Sequence, residues 1–211
     1  MNKKAALAEI VGLLCAEGCH VVSYCTFLEK TSKGTRLRNN KRSERIEFYN
    51  KDYRLLEHFR ELIFRIFGYL PNITKDNKIN LAKRKTIERL TTFTEYGHLR
   101  WRVPTFVTKG NTEIKVGFLR GYFDGDGTAS NRVRFFSVNK AGLEEVANLL
   151  RSLRMRFTLQ GPMFKPNRKP AYILQISEKD KEIFLNTIRP VSKQPGTQFA
   201  GVAAKQKFGR P

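Results

Sequence analysis

The chain has 211 residues, of which 40% are hydrophobic and 16 are Phe, enough for one large domain or two small ones with a buried core. Lys and Arg number 40 and Asp and Glu 19, which gives a net charge of +21 that is spread along the chain. This excess predicts a polyanionic partner. Nucleic acid is favoured over an anionic membrane surface because the charge is not confined to one amphipathic helix.

The apolar stretches argue against a membrane-spanning protein, and the cysteines argue against a disulfide framework and a zinc site. No apolar stretch is long enough to span a membrane. Cys15, Cys19 and Cys25 lack the spacing of a disulfide framework, and the histidines do not cluster with them as in a zinc site. We therefore expect a cytoplasmic protein in a reducing compartment, and an organelle would fit the same features.

Residues 4–18 predict the first helix, because their apolar residues recur at spacings of three and four. Lys3 and Lys4, followed by an apolar stretch to Cys15, also resemble a bacterial secretion or lipoprotein signal. However, Glu9 interrupts the apolar region, and Leu14 stands where such a signal carries a small residue. We interpret the segment as a folded helix.

The rest of the first half predicts two hairpins and two more helices. A strand at 19–28 and a partner at 43–50 are joined by a polar, basic connection at 29–42. The segments that follow are a helix at 51–67 closed by Gly68, strands near 70–75 and 78–84, a helix at 86–96, and a connection at 97–112 that holds Trp101.

The second half repeats this order with a leading hairpin that is about 20 residues shorter. Its predicted segments are a helix at 113–126, a hairpin at 127–138, a helix at 140–154, strands at 156–164 and 170–177, a helix at 178–188 and a basic tail at 190–211. We therefore expect two domains, an N-terminal half with its linker at 1–112 and a C-terminal half with the tail at 113–211.

The helices that open the two halves end in the same way. In each, a Gly precedes an acid by five positions and a second Gly follows the acid; the residues are Gly12, Glu17 and Gly18, and Gly121, Asp126 and Gly127. Gly is common just past a helix end, so each acid should stand at a C-terminus. The missing side chains at Gly12 and Gly121 would let the two helices pack side by side, with Glu17 and Asp126 together at one end.

Both stretches resemble the signature helix of the LAGLIDADG homing endonucleases, and two copies in one chain resemble the monomeric branch of that family. The second copy is the better match, since the first has Cys15 where the family often has an acid. The resemblance implies an α+β fold of two pseudo-symmetric αββαββα halves, joined through the motif helices. Each half would carry a four-stranded antiparallel sheet that binds DNA.

The function that this resemblance implies is site-specific cleavage of double-stranded DNA. A monomer, encoded by a mobile intron or free-standing, would hydrolyse phosphodiesters at a long asymmetric target and leave short 3′ overhangs. Glu17 and Asp126, with Gly18 and Gly127 beside them, would bind Mg²⁺, a hard ion that prefers carboxylate oxygen, and Mn²⁺ would also be accepted. Asp124 lies on another face and would cap or support the helix contact.

The resemblance also implies supporting residues around the metals. Asn50 and Asn139 precede the long helix of each half, where the family carries a polar residue that holds water at the metals; a helix N-cap role is equally open for both. Arg102 and Lys193, at the ends of their halves, are candidates for a basic residue near the metals.

The sheet faces opposite the core are expected to read bases in the major groove, and the hairpin loops to contact phosphates. The candidates for base contacts are Arg45, Glu47, Tyr49, Arg132, Arg134 and Gln175. The candidates for phosphate contacts are Lys33, Arg36, Arg38, Arg42, Lys75, Lys78, Lys165, Arg168 and Lys169.

Two other functions remain open on the same fold. One is an RNA-binding intron maturase, and the other is a DNA-binding regulator that does not cleave. The acids in both motifs favour cleavage over either. An intein setting is disfavoured because no splicing block surrounds the motifs and the chain does not end in His-Asn.

Overall fold

The computed structural model describes residues 2–32 and 34–193, which form two successive sets of helices and antiparallel strands and confirm the α+β class. The first set consists of α1 (Lys3–Glu17), β1 (Gly18–Thr31), β2 (Gly34–Tyr49), α2 (Tyr53–Phe67), β3 (Lys78–Leu81) and α3 (Arg84–Thr91). After α4 (Thr105–Thr108), the second set consists of α5 (Thr112–Asp126), β4 (Gly127–Thr128), β5 (Arg134–Ser137), α6 (Lys140–Ser152), β6 (Phe157–Met163), β7 (Ala171–Ile176), a 3-10 turn at Glu178–Asp180 and α7 (Lys181–Ile188).

Helices α1 and α5 lie against each other at the centre of the molecule. Every residue of α1 from Ala5 to Cys15 is buried, as expected for a helix that is apolar on all sides. Both helices begin at an asparagine whose side chain caps the first turn, Asn2 for α1 and Asn111 for α5. The two helices therefore end alike, as the repeated sequence pattern predicts, and they also start alike.

One continuous hydrophobic core joins the two halves across this helix pair. In the first half, the rings of Phe48 and Phe59 stack with centroids 4.2 Å apart, which packs α2 onto the sheet. In the second half, Phe123, Phe135 and Phe184 meet edge to face at centroid distances of 5.1, 5.0 and 5.6 Å. Within the described ranges, no helix has the length and apolar character needed to cross a membrane.

The two sheets differ in the number of their strands. The second has four, in the order β4-β5-β7-β6, and the first has three, in the order β1-β2-β3. The strand predicted at 70–75 is reduced to one bridge, between Ile73 and Ile79. Pro71 has no N–H to donate to a ladder, and a tight turn from Thr74 to Lys78 begins directly after Ile73, so no room is left for a longer strand.

The prediction of a loop at residues 29–42 is wrong, because β1 and β2 remain paired up to Thr31 and Gly34. Gly34 permits the tight reversal with a φ of 119°. A bulge interrupts the ribbon: Cys25 pairs with Lys41, but Phe27 pairs with Arg38. The ribbon extends beyond the core, and without a buried face its strands do not alternate between apolar and polar residues.

The second half follows its prediction more closely. Helix α6 and strands β6 and β7 lie within the predicted segments at 140–154, 156–164 and 170–177. In the first half, the helix predicted at 86–96 begins at Arg84 and ends at Thr91 instead.

Candidate active site and nucleic-acid interface

Helices α1 and α5 approach each other backbone to backbone. A β-carbon at Gly12 would overlap the backbone of α5, and one at Gly121 would overlap the backbone of α1. Near the C-terminal ends, a β-carbon at Gly125 would overlap the side chain of Ala16 and press on that of Glu17. The small residues therefore allow the contact that brings the two helix ends together.

Glu17 and Asp126 stand at these adjoining ends as a partly buried acid pair. Burial, and then the charge of Glu17, raises the pKa of Asp126 to about 7, against the opposing effect of Lys193. Burial also raises the pKa of Glu17, and Lys193 again opposes the change. Each carboxylate meets the negative end of its helix dipole, so the pair forms an electrostatic site that favours a bound cation.

Lys193 lies beside the acid pair, as one of the two basic candidates. Its ammonium donates to the carbonyl oxygen of Gly125 at 2.7 Å and to that of Gly127. Burial lowers the pKa of Lys193, and the surrounding carboxylates, including Glu17 and Asp126, counteract this shift. The structure thus holds one side-chain cation at the end of α5.

Arg102, the other basic candidate, makes no ion pair or hydrogen bond with Glu17 or Asp126. Its side chain is exposed, and its backbone N–H donates to the hydroxyl of Thr94 at 2.7 Å. The charges that shift the pKa of Glu17 and Asp126 include Lys193 and do not include Arg102.

Asp124 is buried, with 1% of its surface exposed, and it holds the segment that leads to Lys193. One carboxylate oxygen accepts from the backbone N–H of Val191 at 2.9 Å. The other accepts from the backbone N–H of Ser192 at 2.8 Å and from its hydroxyl at 2.9 Å. The sequence predicts a supporting role for Asp124 but gives no sign of these partners.

The side chains of Asn50 and Asn139 both form hydrogen bonds with backbone groups. Asn139 is the N-cap of α6: its Oδ1 accepts from the N–H of Gly142 at 3.1 Å, and its Nδ2 donates to the carbonyl of Trp101 at 2.7 Å. Asn50 accepts from the N–H of Asp52 at 2.8 Å, and Asp52 rather than Asn50 is the N-cap of α2. The N-cap interpretation is therefore confirmed for Asn139 and wrong for Asn50.

A charged network at the middle of α1 was not anticipated. Glu9 is fully buried and contacts His58 Nε2 at 2.5 Å and Arg120 Nη1 at 3.1 Å. Arg120 in turn donates through Nε to the carbonyl of Ile188 at 2.6 Å. This network connects α1 to α2, α5 and the end of α7. A lone acid inside an apolar helix is the signal that could have indicated it.

The acid pair offers two hard oxygen donors of the kind that Mg²⁺ prefers. Among residues 2–32 and 34–193, no cluster of three or more His, Cys, Asp or Glu could hold a metal ion. The carbonyl of Gly127, a predicted ligand, already accepts from Lys193, and Gly18 begins β1 opposite Phe48. An ion held by the two carboxylates would take its other ligands from water and phosphate. Mg²⁺ is commonly bound in this way, since it keeps several of its waters.

The ribbon of β1 and β2 has one strongly basic face. The bulge shifts the alternation of β2, so Arg36 and Arg38 lie on the same face as Arg45 and Glu47. Arg42 lies on the opposite face, where it pairs with a glutamate, Glu44, at 3.0 Å. Arg36, Arg38 and Arg42 were predicted in a loop and lie on a strand instead, where Arg42 faces away from Arg36, Arg38 and Arg45.

Ion pairs occupy part of this basic face. Arg38 Nε lies 2.7 Å from Glu29, and Arg45 Nε lies 2.7 Å from Glu47. Tyr49 is exposed and pairs with Lys78 at the start of β3. Of the remaining basic candidates in this half, Lys75 stands in the turn before β3, and Lys33 lies outside the described residues.

The second sheet presents a smaller polar face. Arg134 and Gln175 are direct cross-strand neighbours, and Arg134 Nε donates to the Gln175 side chain at 2.9 Å. Arg132 is exposed in the bend before β5. The three basic candidates between β6 and β7, which are Lys165, Arg168 and Lys169, are exposed in the predicted loop. Lys169 contacts His98 Nε2 at 2.7 Å, which links this loop to the first half.

Comparison with known proteins gives a family match in the second half. Residues 113–189 match the model of the LAGLIDADG-like domain. A DNA polymerase of Thermococcus kodakarensis is 24% identical over 188 residues, which make up 85% of this chain and 11% of that protein. The chain therefore spans about a tenth of the length of this curated relative.

Solved structures share the fold across both halves. A structure of mesophilic variants of the homing endonuclease I-DmoI matches with a TM-score of 0.64 and 21% identity, covering 89% of this chain and 97% of that one. I-DmoI in complex with DNA and Ca matches with a TM-score of 0.62 and 20% identity, covering 89% and 91%. The N-terminal LAGLIDADG domain of DUF199/WhiA matches with a TM-score of 0.53 and 14% identity, covering 89% and 82%. Residues 113–189 are thus similar to the LAGLIDADG-like domain, and the chain shares the fold of I-DmoI over most of its length.

Proposed function

We propose that this protein is a site-specific endonuclease that cleaves both strands of a long, asymmetric DNA site. The observation that carries the proposal is the acid pair, Glu17 and Asp126, formed where two helix ends meet in a chain of net charge +21. Solved I-DmoI structures of the same fold contain DNA together with Ca or Mn, which supports the assignment by analogy.

The acid pair is proposed to hold divalent metal ions, with Mg²⁺ as the natural ion and Mn²⁺ as a substitute. Such ions neutralise the phosphate, lower the pKa of the attacking water and stabilise the leaving oxygen. Glu17 and Asp126 must be ionised to bind them, so a proton on Asp126 competes with metal near pH 7. Lys193 would add a fixed positive charge beside the phosphates, and water rather than a side chain would be the nucleophile.

The two sheets are proposed to lie in the major groove on either side of the cleavage site. Arg36, Arg38 and Arg45 share one face of the long ribbon and would contact DNA there. In the second half, Arg134 and Gln175 would do so from a shorter sheet. Because the two faces differ in length and composition, the bound site would be asymmetric.

The finer details of the proposal follow the two-motif plan. Each half, at 1–112 and 113–211, would supply one acid, and a monomer would cut both strands and leave short 3′ overhangs. The basic tail from residue 194 onward lies outside the described residues. Asn50 and Asn139 keep their proposed role near the metals, beside the backbone contacts described above.

Selection from a randomised duplex library tests the proposal. Circular DNA is incubated with the protein and Mg²⁺, the linear products are sequenced, and a selected duplex is then used with purified variants. We expect Glu17→Gln and Asp126→Asn each to lower the single-turnover cleavage rate by about 10³-fold or more, because each removes a charge that holds the metal. Glu61→Gln, an exposed acid on α2, is the matched control and should cleave normally.

Three results would contradict the proposal. Unchanged cleavage by both acid variants would remove the catalytic assignment. Tight binding of duplex DNA from the library with no linear product in Mg²⁺ or Mn²⁺ would favour a DNA-binding regulator, and preferential binding of structured RNA would favour an intron maturase.

A further inference from the structure

Asp124 is placed where it can control the position of another residue. It is buried, and its two oxygens accept three hydrogen bonds from Val191 and Ser192. Two of these come from successive backbone N–H groups, so the carboxylate fixes the direction of the chain at that point. Hydrogen bonds to a charged acceptor are about twice as strong as neutral ones, which makes this a firm anchor.

The next residue along the chain is Lys193. Its ammonium reaches back to the carbonyl oxygens of Gly125 and Gly127, on either side of Asp126. The segment 191–193 is therefore attached to the end of α5 twice, once through Asp124 and once through Lys193. Since Asp124 and Asp126 belong to one rigid helix, the distance between Lys193 and the acid pair is set by α5 rather than by a loop.

The first half has no such anchor at the corresponding place. The position two residues before Glu17 is Cys15, a buried thiol that cannot accept three hydrogen bonds. The segment after α3 is held by other groups: the N–H of Val103 donates to Glu145 Oε2 at 2.7 Å. Arg102, which precedes Val103, is left exposed.

We propose that Asp124 is a positioning residue that seats Lys193 at the acid pair. Its removal would leave both acids and the DNA-binding faces in place but would release the ammonium. The consequence for cleavage rests on the proposed function, whereas the seating of residues 191–193 does not.

A double-mutant cycle tests the effect on cleavage, with Asp124→Ala, Lys193→Met and the combined variant. We expect each single substitution to lower kcat by about 10²-fold, the usual order for losing one charge-stabilising group, with little change in KM for the selected duplex. Because Asp124 acts through Lys193, the combined variant should be no slower than Lys193→Met alone. Losses that multiply in the combined variant would overturn the proposal.

Amide hydrogen exchange tests the seating without any nuclease activity. We expect the amides of Val191 and Ser192 to be protected in the wild type and to exchange at least about tenfold faster in Asp124→Ala. Lys193→Met should keep most of this protection, and amides inside α5 serve as the internal reference. Unprotected amides in the wild type, or equal protection in Asp124→Ala, would overturn the proposal even if the protein cleaves DNA.

Two further variants separate positioning from folding. Asp124→Asn keeps the shape of the side chain and one acceptor oxygen, so it should fold even where Asp124→Ala does not and should show the same faster exchange at Val191 or Ser192. Cys15→Ala changes the corresponding position of α1 and should leave both amides protected. Faster exchange at these amides in Cys15→Ala would indicate a general loosening of the helix pair and would contradict a specific role for Asp124.

Discussion

The two halves of the molecule share an order of elements and differ in the hairpin that follows the motif helix. Strands β1 and β2 have 14 and 16 residues, whereas β4 and β5 have 2 and 4. The helices that follow, α2 and α6, are similar in length at 15 and 13 residues. Elements that cover the core are constrained by packing, and the ribbon beyond the core is free to differ.

A second difference lies at the acid pair itself. The second half brings Lys193 to the ends of both motif helices, and the first half leaves Arg102 exposed. The two halves therefore share nearly the same backbone arrangement but differ in whether they place a basic side chain beside the acid pair. By the proposal made above, the residue two positions before the acid, Asp124 in the second half and Cys15 in the first, decides where the basic residue at the end of each half lies.

The largest difference is expected between variants of Lys193 and of Arg102. We expect Lys193→Met to lower cleavage by about 10²-fold, because a fixed charge beside the phosphates is lost. Arg102→Met should change the rate by less than about twofold, since its exposed charge makes no ion pair with the acids and is screened by solvent. Single-turnover rates on the selected duplex measure both, and equal losses would contradict the asymmetry between the halves.

The helix contact should respond alike from both halves. We expect Gly12→Ala and Gly121→Ala each to lower the free energy of unfolding by about 1–3 kcal/mol, because a β-carbon at either position overlaps the backbone of the partner helix. Thermal or urea unfolding measures the change, with Glu61→Ala on an exposed helix surface as the control. Destabilisation by only one of the two would show that the helices do not meet as described.

The raised pKa of Asp126 should make the stability of the metal-free protein depend on pH. The folded-state pKa of Asp126, about 7, lies above its ordinary value of 3.8. The folded protein therefore holds this proton more tightly, and metal-free stability should fall as the pH rises from about 4 to about 7. At about 1.4 kcal/mol per pKa unit, the loss should be no more than about 4 kcal/mol, and it should be smaller in Asp126→Asn, where Glu17 alone keeps a raised pKa. Urea unfolding at several pH values measures the loss.

The smallest effect separates the two faces of the ribbon. Arg38→Ala should weaken binding of the selected duplex by about fivefold and reduce the salt dependence of log Kd by about one unit of slope, as expected for one lost phosphate contact. Arg42→Ala, on the opposite face, should leave both quantities unchanged. A larger loss from Arg42→Ala would mean that DNA lies against the other face.

The sequence predicted the parts of the fold that are governed by burial. Helices α2 and α6 repeat their apolar residues every three to four positions, and the acid followed by Gly marks the end of each motif helix. The strands at 29–42 were not predicted, because neither face of the ribbon is buried there and the sequence therefore lacks the apolar-polar alternation that indicates a strand. Their arginines were assigned to a loop for the same reason.

At the candidate site, the sequence predicted which residues meet but not how they are held. Glu17, Asp126 and Lys193 were all candidates before their geometry was known. A supporting role was predicted for Asp124, but its partners could not be, because they lie 67 and 68 positions away and are largely backbone N–H groups, which leave no mark in a sequence. Asp52, which takes the N-cap position of α2, was missed for a different reason: Asn50, two positions earlier, is an equally good N-cap residue type.

Glu17 and Asp126 are proposed to bind divalent ions together, next to the DNA backbone. A crystal structure of the protein with its selected duplex and Mn²⁺ would test this directly. We predict anomalous scattering from Mn²⁺ within about 2.5 Å of carboxylate oxygens of both Glu17 and Asp126, with DNA phosphate oxygens completing the ligands. Mn²⁺ bound elsewhere, or a duplex bound away from the two helix ends, would contradict the account.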